Sequence, residues 1–373
     1  MGKSEWLKVV LFFGILISLM GACNESQELQ PNVDIQELDV KIPAKISTFS
    51  QLDTLYYSFL GLNSLPTQDG GFILPLWGPP TLVKTNAEGS VILARTQEGR
   101  GPGELLDVGI PSLGKNEVYV FDQNQDKIVI YDANSLSLIN EFLAEAYPEY
   151  KISRVYPSFE AGSVLLELSN AQLEIAKMQE KLLIKFDIEN KEYGESIPIK
   201  GEAYAPLGEL INGRSGTAMK VPFSDKQLIT PAPERGSLLL FDTRTNLIAE
   251  INANFDTLNT IRVDLPTESV SAAEKDSIKN EVESFQSADW SNMEPYIPDE
   301  KAVANNMLFN NDKIWLKSNN RGKGDIWYVL NMQGVVTDVI QLPANTFLAH
   351  VSDDHLGVRM DQVTFALYEN PLP

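Results

Sequence analysis

Residues 117–132 read EVYVFDQNQDKIVIYD, two short runs of β-branched and aromatic residues joined by a polar turn. Runs of this length, bounded by Asp and Asn, are typical of paired antiparallel strands. Similar runs recur from about residue 40 to the end of the chain, at 71–76, 163–168, 181–186, 237–241, 313–316 and 325–330. The sequence therefore predicts an all-β protein built from many short strands.

The strand-like runs repeat at a coarse period. An Asp or Asn followed by a polar turn ends such a run at Asn86, Asp132, Asp187, Asp242 and Asn331, at intervals of 46, 55, 55 and 89 residues. A period near 50 with several strands in each unit suggests the blades of a β-propeller. The length of the chain allows six or seven such units.

Two segments interrupt the strand pattern. Residues 267–300 contain Ser271 and Glu274 at the spacing of a helix capping box, followed by Ile278, Val282 and Phe285 at helical spacing. These features predict a helical insertion, and removing it from the 89-residue interval restores a period of 55. Residues 171–181 favour a helix by composition, but their position between two strands allows a long hairpin equally well.

The insertion also holds the candidate binding residues. Trp290, Met293 and Tyr296 lie among acidic side chains, and aromatic residues with a polar surround are typical of a binding patch. The alternative is that these residues only complete the packing of the helix on its own domain. Trp315 and Trp327 lie within strand-like runs and are expected in the core.

The octapeptide EGRGPGEL at residues 98–105 raises the question of a phosphate-binding loop. Such a loop needs a lysine and a hydroxyl before a helix, or a third glycine that opens one. Glu104 occupies the decisive position, and Pro102 removes an N–H that would face the anion. We therefore interpret the segment as a turn between blades, in which Gly101 and Gly103 hold special backbone angles.

The same segment resembles a motif of a large family of Gram-negative lipoproteins. The resemblance rests on residues 99–105 (GRGPGEL), on the paired runs 117–122 and 127–132, and on residues 334–343 near the end of the chain. It implies a six-bladed β-propeller of four-stranded antiparallel blades, related to the TolB-like and NHL-like types. It implies no particular activity.

The N-terminal residues have the order of a secretory signal. Lys3 and Lys8 precede an apolar run at 9–20, which is too short to span a membrane. Cys23 is the single cysteine of the chain, and the preceding residues 20–22 (MGA) resemble a lipobox. We expect a signal peptide at 1–22, lipid attachment at Cys23, an acidic tether at 23–40 and a propeller at 41–373. The expected location is the outer membrane, and the sequence does not decide between its periplasmic and surface-exposed leaflets.

Charge and composition narrow the class of ligand. The formal net charge of −21 argues against nucleic acid, whose binding needs clustered Lys and Arg.

Asp122, Asn124 and Asp126 begin like a calcium loop but lack its Gly and Glu, so a turn between strands is favoured. His350, Asp353, Asp354 and His355 do not have a standard zinc spacing, and a polar loop is favoured.

These observations favour a non-enzymatic module. We expect a lipid-anchored binding or scaffold protein of the cell envelope, with a protein, peptide or glycan as partner and without a cofactor, a metal site or catalytic residues. The alternative is a hydrolase or lyase of the propeller class with acidic residues around the central channel, which convergent carboxylates of perturbed pKa would favour. A purely structural envelope component is a third possibility.

Overall fold

The computed structural model describes residues 35–50, 52, 55, 57–95, 98–145, 147–171, 177–208, 217–285, 288–319 and 324–372. Residues 38–373 form a compact unit rich in strands. The α-helices of the described residues are α1 (Ala272–Glu283) and α2 (Trp290–Met293), and 3-10 turns occur at Ile35–Glu37 and Glu294–Tyr296.

The described strands fall into six sheets, which we number as blades 1 to 6 in chain order. The N-terminal strands are β1 (Val40–Lys41) and β2 (Lys45–Phe49). Blade 1 holds β3 (Phe59–Leu60), β4 (Leu65–Pro66), β5 (Phe72–Trp77), β6 (Thr81–Thr85) and β7 (Val91–Arg95). Blade 2 holds β8 (Ser112–Leu113), β9 (Glu117–Asp122), β10 (Lys127–Asp132) and β11 (Leu138–Leu143). Blade 3 holds β12 (Tyr150–Pro157), β13 (Ser163–Asn170), β14 (Met178–Asp187), β15 (Glu192–Pro206) and β16 (Ala218–Lys220).

Blade 4 holds β17 (Gln227–Ala232), β18 (Ser237–Asp242), β19 (Leu247–Ile251) and β20 (Thr257–Arg262). Blade 5 holds β21 (Ala304–Asn310), β22 (Lys313–Ser318), β23 (Gly324–Leu330) and β24 (Val336–Pro343), and β1 adds to its edge in parallel. Blade 6 holds β25 (Phe347–Val351), β26 (His355–Arg359) and β27 (Phe365–Glu369), and β2 completes it. The predicted all-β propeller is confirmed.

Apolar side chains between consecutive blades hold the ring together. Strand β10 is buried along most of its length because Val129 and Tyr131 pack toward blade 1, while Ile128 and Ile130 pack toward blade 3. Strands of neighbouring blades also contact one another directly: β17 contacts β21, and β25 contacts β4. The ring is closed by the antiparallel pairing of β2 with β27, in which Phe49 lies opposite Phe365.

The Asp and Asn residues that suggested the period all begin turns. Asp132 Oδ1, for example, accepts hydrogen bonds from the N–H groups of Asn134 and Ser135. Asp242, however, ends the second strand of its blade, whereas Asp132, Asp187 and Asn331 lie at the end of the third. Asn86 follows β6, which is also the third strand of its blade if the short β3 is left out. The residue equivalent to them in blade 4 is Asn252, so the regular interval of 55 residues was partly a coincidence.

Blade 3 departs most from the four-stranded pattern. Its fourth strand β15 is 15 residues long, and its C-terminal end pairs with β16, with Tyr204 opposite Lys220. The region of 171–181 that the structure describes enters strand β14 at Met178, and residues 172–176 lie outside the described part. Blade 3 therefore carries a hairpin, β15–β16, that the sequence pattern did not reveal.

Candidate functional site

One face of the propeller carries the connections from the last strand of each blade to the first strand of the next. We call it the crossover face. It includes the glycine-rich turn at 98–105 and the insertion between β20 and β21, together with the segment that follows β16. Loops vary more readily than the strands that carry them, so this face is where function is expected.

The glycine-rich turn is held closed by side chains of its own blades. Tyr131 Oη donates to the carbonyl of Gly103 at 2.9 Å, and Lys127 Nζ donates to the carbonyl of Glu104 at 2.7 Å. The N–H of Gly103 donates to a carboxylate oxygen of Glu141 at 2.8 Å. An N–H that already faces a carboxylate cannot hold a phosphate, so the predicted turn between blades is confirmed.

The insertion between blades 4 and 5 contains the predicted capped helix. Ser271 and Glu274 form the capping box of α1, and Ile278 and Val282 are fully buried. Phe285 differs from the expectation, because its side chain is 49% exposed beyond the end of the helix. The helical stripe is therefore shorter than the sequence pattern indicated.

The insertion and the β15–β16 hairpin share one apolar cluster. Ile278 and Val282 of α1 pack with Ala205 of β15 and with Val221 and Phe223, which follow β16. The N–H of Asp289 donates to the carbonyl of Leu207. We call residues 201–208 and 217–224, together with 267–285 and 288–303, the cap, because they form a second small core on the crossover face.

The three candidate binding residues have different places in the cap. Met293 is fully buried in the apolar cluster, where it cannot reach a partner. Trp290 and Tyr296 are half-buried and pack against the same cluster. The packing alternative thus accounts for Met293, and Trp290 and Tyr296 keep part of their surface for contact.

A cavity of about 870 Å³ lies on the crossover face beside the cap. Its walls come from the segment after β16, from α1, from blade 5 and from the connection between blades 5 and 6. Three lysines line it, Lys220, Lys226 and Lys317, together with the carboxylates of Glu281 and Asp325. These residues are far apart in the chain, and the sequence reading did not identify them.

A cavity of similar volume, about 870 Å³, lies on the opposite face between blades 2, 3 and 4. Its lining includes Tyr119, Phe142 and Phe159 with several glutamates, and it belongs to the ordinary turns of the blades. The crossover cavity differs because two additions to the blade pattern, the hairpin and the insertion, build its walls.

The metal candidates take other roles. Asp122 is buried, and its carboxylate accepts hydrogen bonds from the N–H groups of Leu106 and Asn124, as expected of a turn. His350 is not part of a polar loop, contrary to the expectation. It is buried beside Phe72 and Phe365, with its Nδ1 2.5 Å from Ser64 Oγ. The described residues contain no group of three metal-ligating side chains.

Two carboxylates of the crossover face bear on the enzyme alternative. Burial raises the pKa of Asp107, between blades 1 and 2, and also that of Asp225, between blades 3 and 4. Asp107 lies close to Asp122, which ends the second strand of blade 2. Asp225 lies close to Asp242, which ends the second strand of blade 4. The raised pKa values therefore have local causes within separate blades.

The predicted signal peptide, Cys23 and the predicted tether up to residue 34 lie outside the described residues. Among the helices that the structure describes, none has the length and apolar character required to cross a membrane.

Comparisons with known proteins bear on the fold. No protein-family model matches the chain. No curated protein matches it either. A solved member of the DUF4221 family from Bacteroides vulgatus is 10% identical, with coverage of 89% of this chain and 97% of that one and a TM-score of 0.51.

Two further solved structures resemble the chain. A protein of Bacteroides fragilis proposed to be exported is 12% identical over 92% of this chain and 98% of that one, with a TM-score of 0.48. BamB from Moraxella catarrhalis is 10% identical over 88% and 100%, with a TM-score of 0.37. At these identities the likeness extends to the fold alone, and the class that fold and sheet order define is the all-β propeller.

Proposed function

We propose that this protein is a binding module of the cell envelope, anchored through lipid on Cys23, which holds a protein partner on the outer surface of its cap. The lipobox-like sequence before Cys23 supports the anchor, and the acidic tether would let the propeller stand away from the membrane. The outer membrane is the location that this sequence pattern favours.

The observation that carries the proposal is the cap itself. It is a second core built on one face of the propeller, and it leaves Phe285 half-exposed while Trp290 and Tyr296 keep part of their surface. Aromatic side chains with a polar surround are enriched at protein interfaces and supply much of their binding energy. Asp289, Glu294 and Asp299 provide a polar surround.

The test is chemical crosslinking in intact envelopes followed by recovery of the protein. The double variant Phe285→Ser, Trp290→Ser should lose its specific partner while it remains folded. Leu258→Ser is the matched control, because Leu258 is also exposed but lies on the outer strand of blade 4. If the double variant recovers the same partner as the wild type, the interface lies elsewhere.

The anchor has its own test. Cys23→Ser should block lipid processing, so the protein should leave the membrane fraction or remain as a precursor. A Cys23→Ser protein that stays firmly membrane-bound would refute the lipoprotein assignment.

A further inference from the structure

The crossover cavity has an excess of positive charge on one wall. Lys220 and Lys226 approach it from neighbouring positions, and both ammonium groups pair with the same carboxylate, that of Glu202. Lys220 is the closer partner, whereas Lys226 Nζ lies 3.4 Å from Glu202 Oε1. In a chain with a net charge of −21, two ammonium groups that share one carboxylate are an unusual arrangement.

Lys226 is the less well satisfied of the two lysines. Only 14% of its side chain is exposed, against 49% for Lys220. Burial lowers the pKa of Lys226, and the charge of Lys220 lowers it further. Burial acts to raise the pKa of Glu202, but the charges of Lys220, Lys226 and Lys181 outweigh it and the pKa is lowered. One carboxylate does not compensate both ammonium groups, and a buried charge needs a partner.

The rest of the lining combines a neutralised ion pair, one further carboxylate, polar side chains and the apolar side chains of Met219, Val221 and Phe223. Lys317 is neutralised, because its Nζ lies 2.7 Å from Asp325 Oδ2 and also donates to the carbonyl of Thr346. Side chains of Ser277, Asn305, Asn319 and Asn345 line the same space. Glu281 of α1 adds one negative charge, which disfavours a ligand that is anionic at every point. Hydroxyl and amide groups are suited to a ligand with several hydroxyls.

We propose that the crossover cavity binds a small polyhydroxylated carboxylate, of which an acidic sugar is the type, with its carboxylate held by Lys226 and Lys220. Its volume of about 870 Å³ is within the range of small-molecule sites, which hold ligands of this size. The site is independent of the proposed protein interface, which uses the outer surface of the cap.

Calorimetric titration of the full chain in detergent tests the site, with glucuronate as the probe and glucose as the uncharged match. Glucuronate should bind and glucose should bind at least about tenfold more weakly, because a charge-assisted hydrogen bond would be lost. Lys226→Met should weaken glucuronate binding by about tenfold or more, and Glu202→Gln should strengthen it, since it removes the competing carboxylate.

Lys279→Met serves as the control, because Lys279 lies on α1, where it pairs with Glu283 and does not line the cavity. Its affinity for glucuronate should equal that of the wild type, and thermal unfolding would establish that each variant is folded. Equal binding of glucose and glucuronate, absence of glucuronate binding, or unchanged affinity in folded Lys226→Met would each overturn the proposal. The crosslinking result with the Phe285→Ser, Trp290→Ser variant does not depend on any of these outcomes.

Discussion

At the scale of single residues, two glycines of the glycine-rich turn look alike in the sequence but differ in backbone conformation. Gly103 has a φ of +66°, in the left-handed region, whereas Gly101 does not have a positive φ. A Cβ on residue 103 would also meet the guanidinium of Arg95. A Cβ on residue 101 would meet the end of the Glu104 side chain at 2.9 Å, and that side chain can move.

Gly103→Val should therefore lower the free energy of unfolding by about 1–3 kcal/mol, the cost of backbone strain at such a position. Gly101→Val should cost clearly less. Urea unfolding of the two variants measures the difference. Equal losses would show that the turn is not held by the backbone angle of Gly103.

His350 makes the protein sensitive to acid. Burial, and to a lesser degree the charge of His355, lowers the pKa of His350 to about 3. An unfolded histidine has a pKa of about 6.5, so below that pH the unfolded chain binds a proton that the folded chain excludes. The free energy of unfolding should therefore fall as the pH drops from about 6.5 toward 3, by about 2 kcal/mol between pH 6.5 and 5.

Chemical unfolding at a series of pH values checks this expectation. His350→Gln should flatten the dependence between pH 6.5 and 5, where most carboxylates remain ionised. His355→Gln is the control and should retain the slope. A slope unaffected by His350→Gln would assign the acid sensitivity to other groups.

At this scale the sequence predicted those features whose interacting residues are close together along the chain. The capping box of Ser271 and Glu274 and the turn at Asp122 depend on residues within a few positions of each other. His350 was misplaced because its partners, Ser64 and Phe72, come from blade 1, at the far end of the chain.

At the scale of elements, the cap should behave as a separate cooperative unit. Met293→Ala would remove a fully buried side chain from its cluster, and such a deletion typically costs about 2–5 kcal/mol. The cost should fall mainly on the cap, because the cluster of Met293 consists of cap residues. Hydrogen exchange should become faster in α1 and at the β15–β16 end, while β9 and β10 keep their protection.

Phe285→Ala is the matched change on the same segment, since that side chain is already half-exposed, and it should leave the exchange of α1 almost unchanged. Uniformly faster exchange in all six blades of the Met293→Ala protein would mean that the cap and the propeller unfold together.

The insertion was predictable and the hairpin was not, for a physical reason. In the sequence, helix α1 is marked by apolar residues at helical spacing. Strands β15 and β16 have no such mark, because their sequences resemble an ordinary strand and loop and only their pairing defines the hairpin. The same limit explains Asp242, which like Asp132 follows an apolar run that ends in an aromatic residue, but lies one strand earlier in its blade. Register within a blade depends on pairing partners, and the order of residues along one run does not reveal them.

At the scale of the whole molecule, the ring depends on its N-terminal strands. A chain that begins at residue 50 would lack β2, so β27 would keep only β26 as its neighbour and Phe365 would lose Phe49 opposite it. We expect a much lower melting temperature and aggregation through the open edge of β27. Of the described strands, a chain that begins at residue 43 would lose only the two-residue β1, and it should melt close to the intact protein.

Circular dichroism and light scattering of the two shortened chains measure this difference. Equal melting temperatures would show that the ring is held by contacts between the blades without its closing strand. Strand spacing predicted a propeller of six or seven units. It did not predict the lysines of the crossover cavity, because residues 220, 226 and 317 line the same space only in the folded ring.

The closing pair of strands also sets an order in time. Lys45 pairs with Tyr368, so almost the whole chain must leave the ribosome before blade 6 can be completed. Until then the first five blades can gain their local hairpins quickly, while the distant pairing waits for its loop-closure entropy to be overcome. An exported chain with this connectivity would reach the far side of the membrane with its ring still open, and the last segment to arrive would finish the fold.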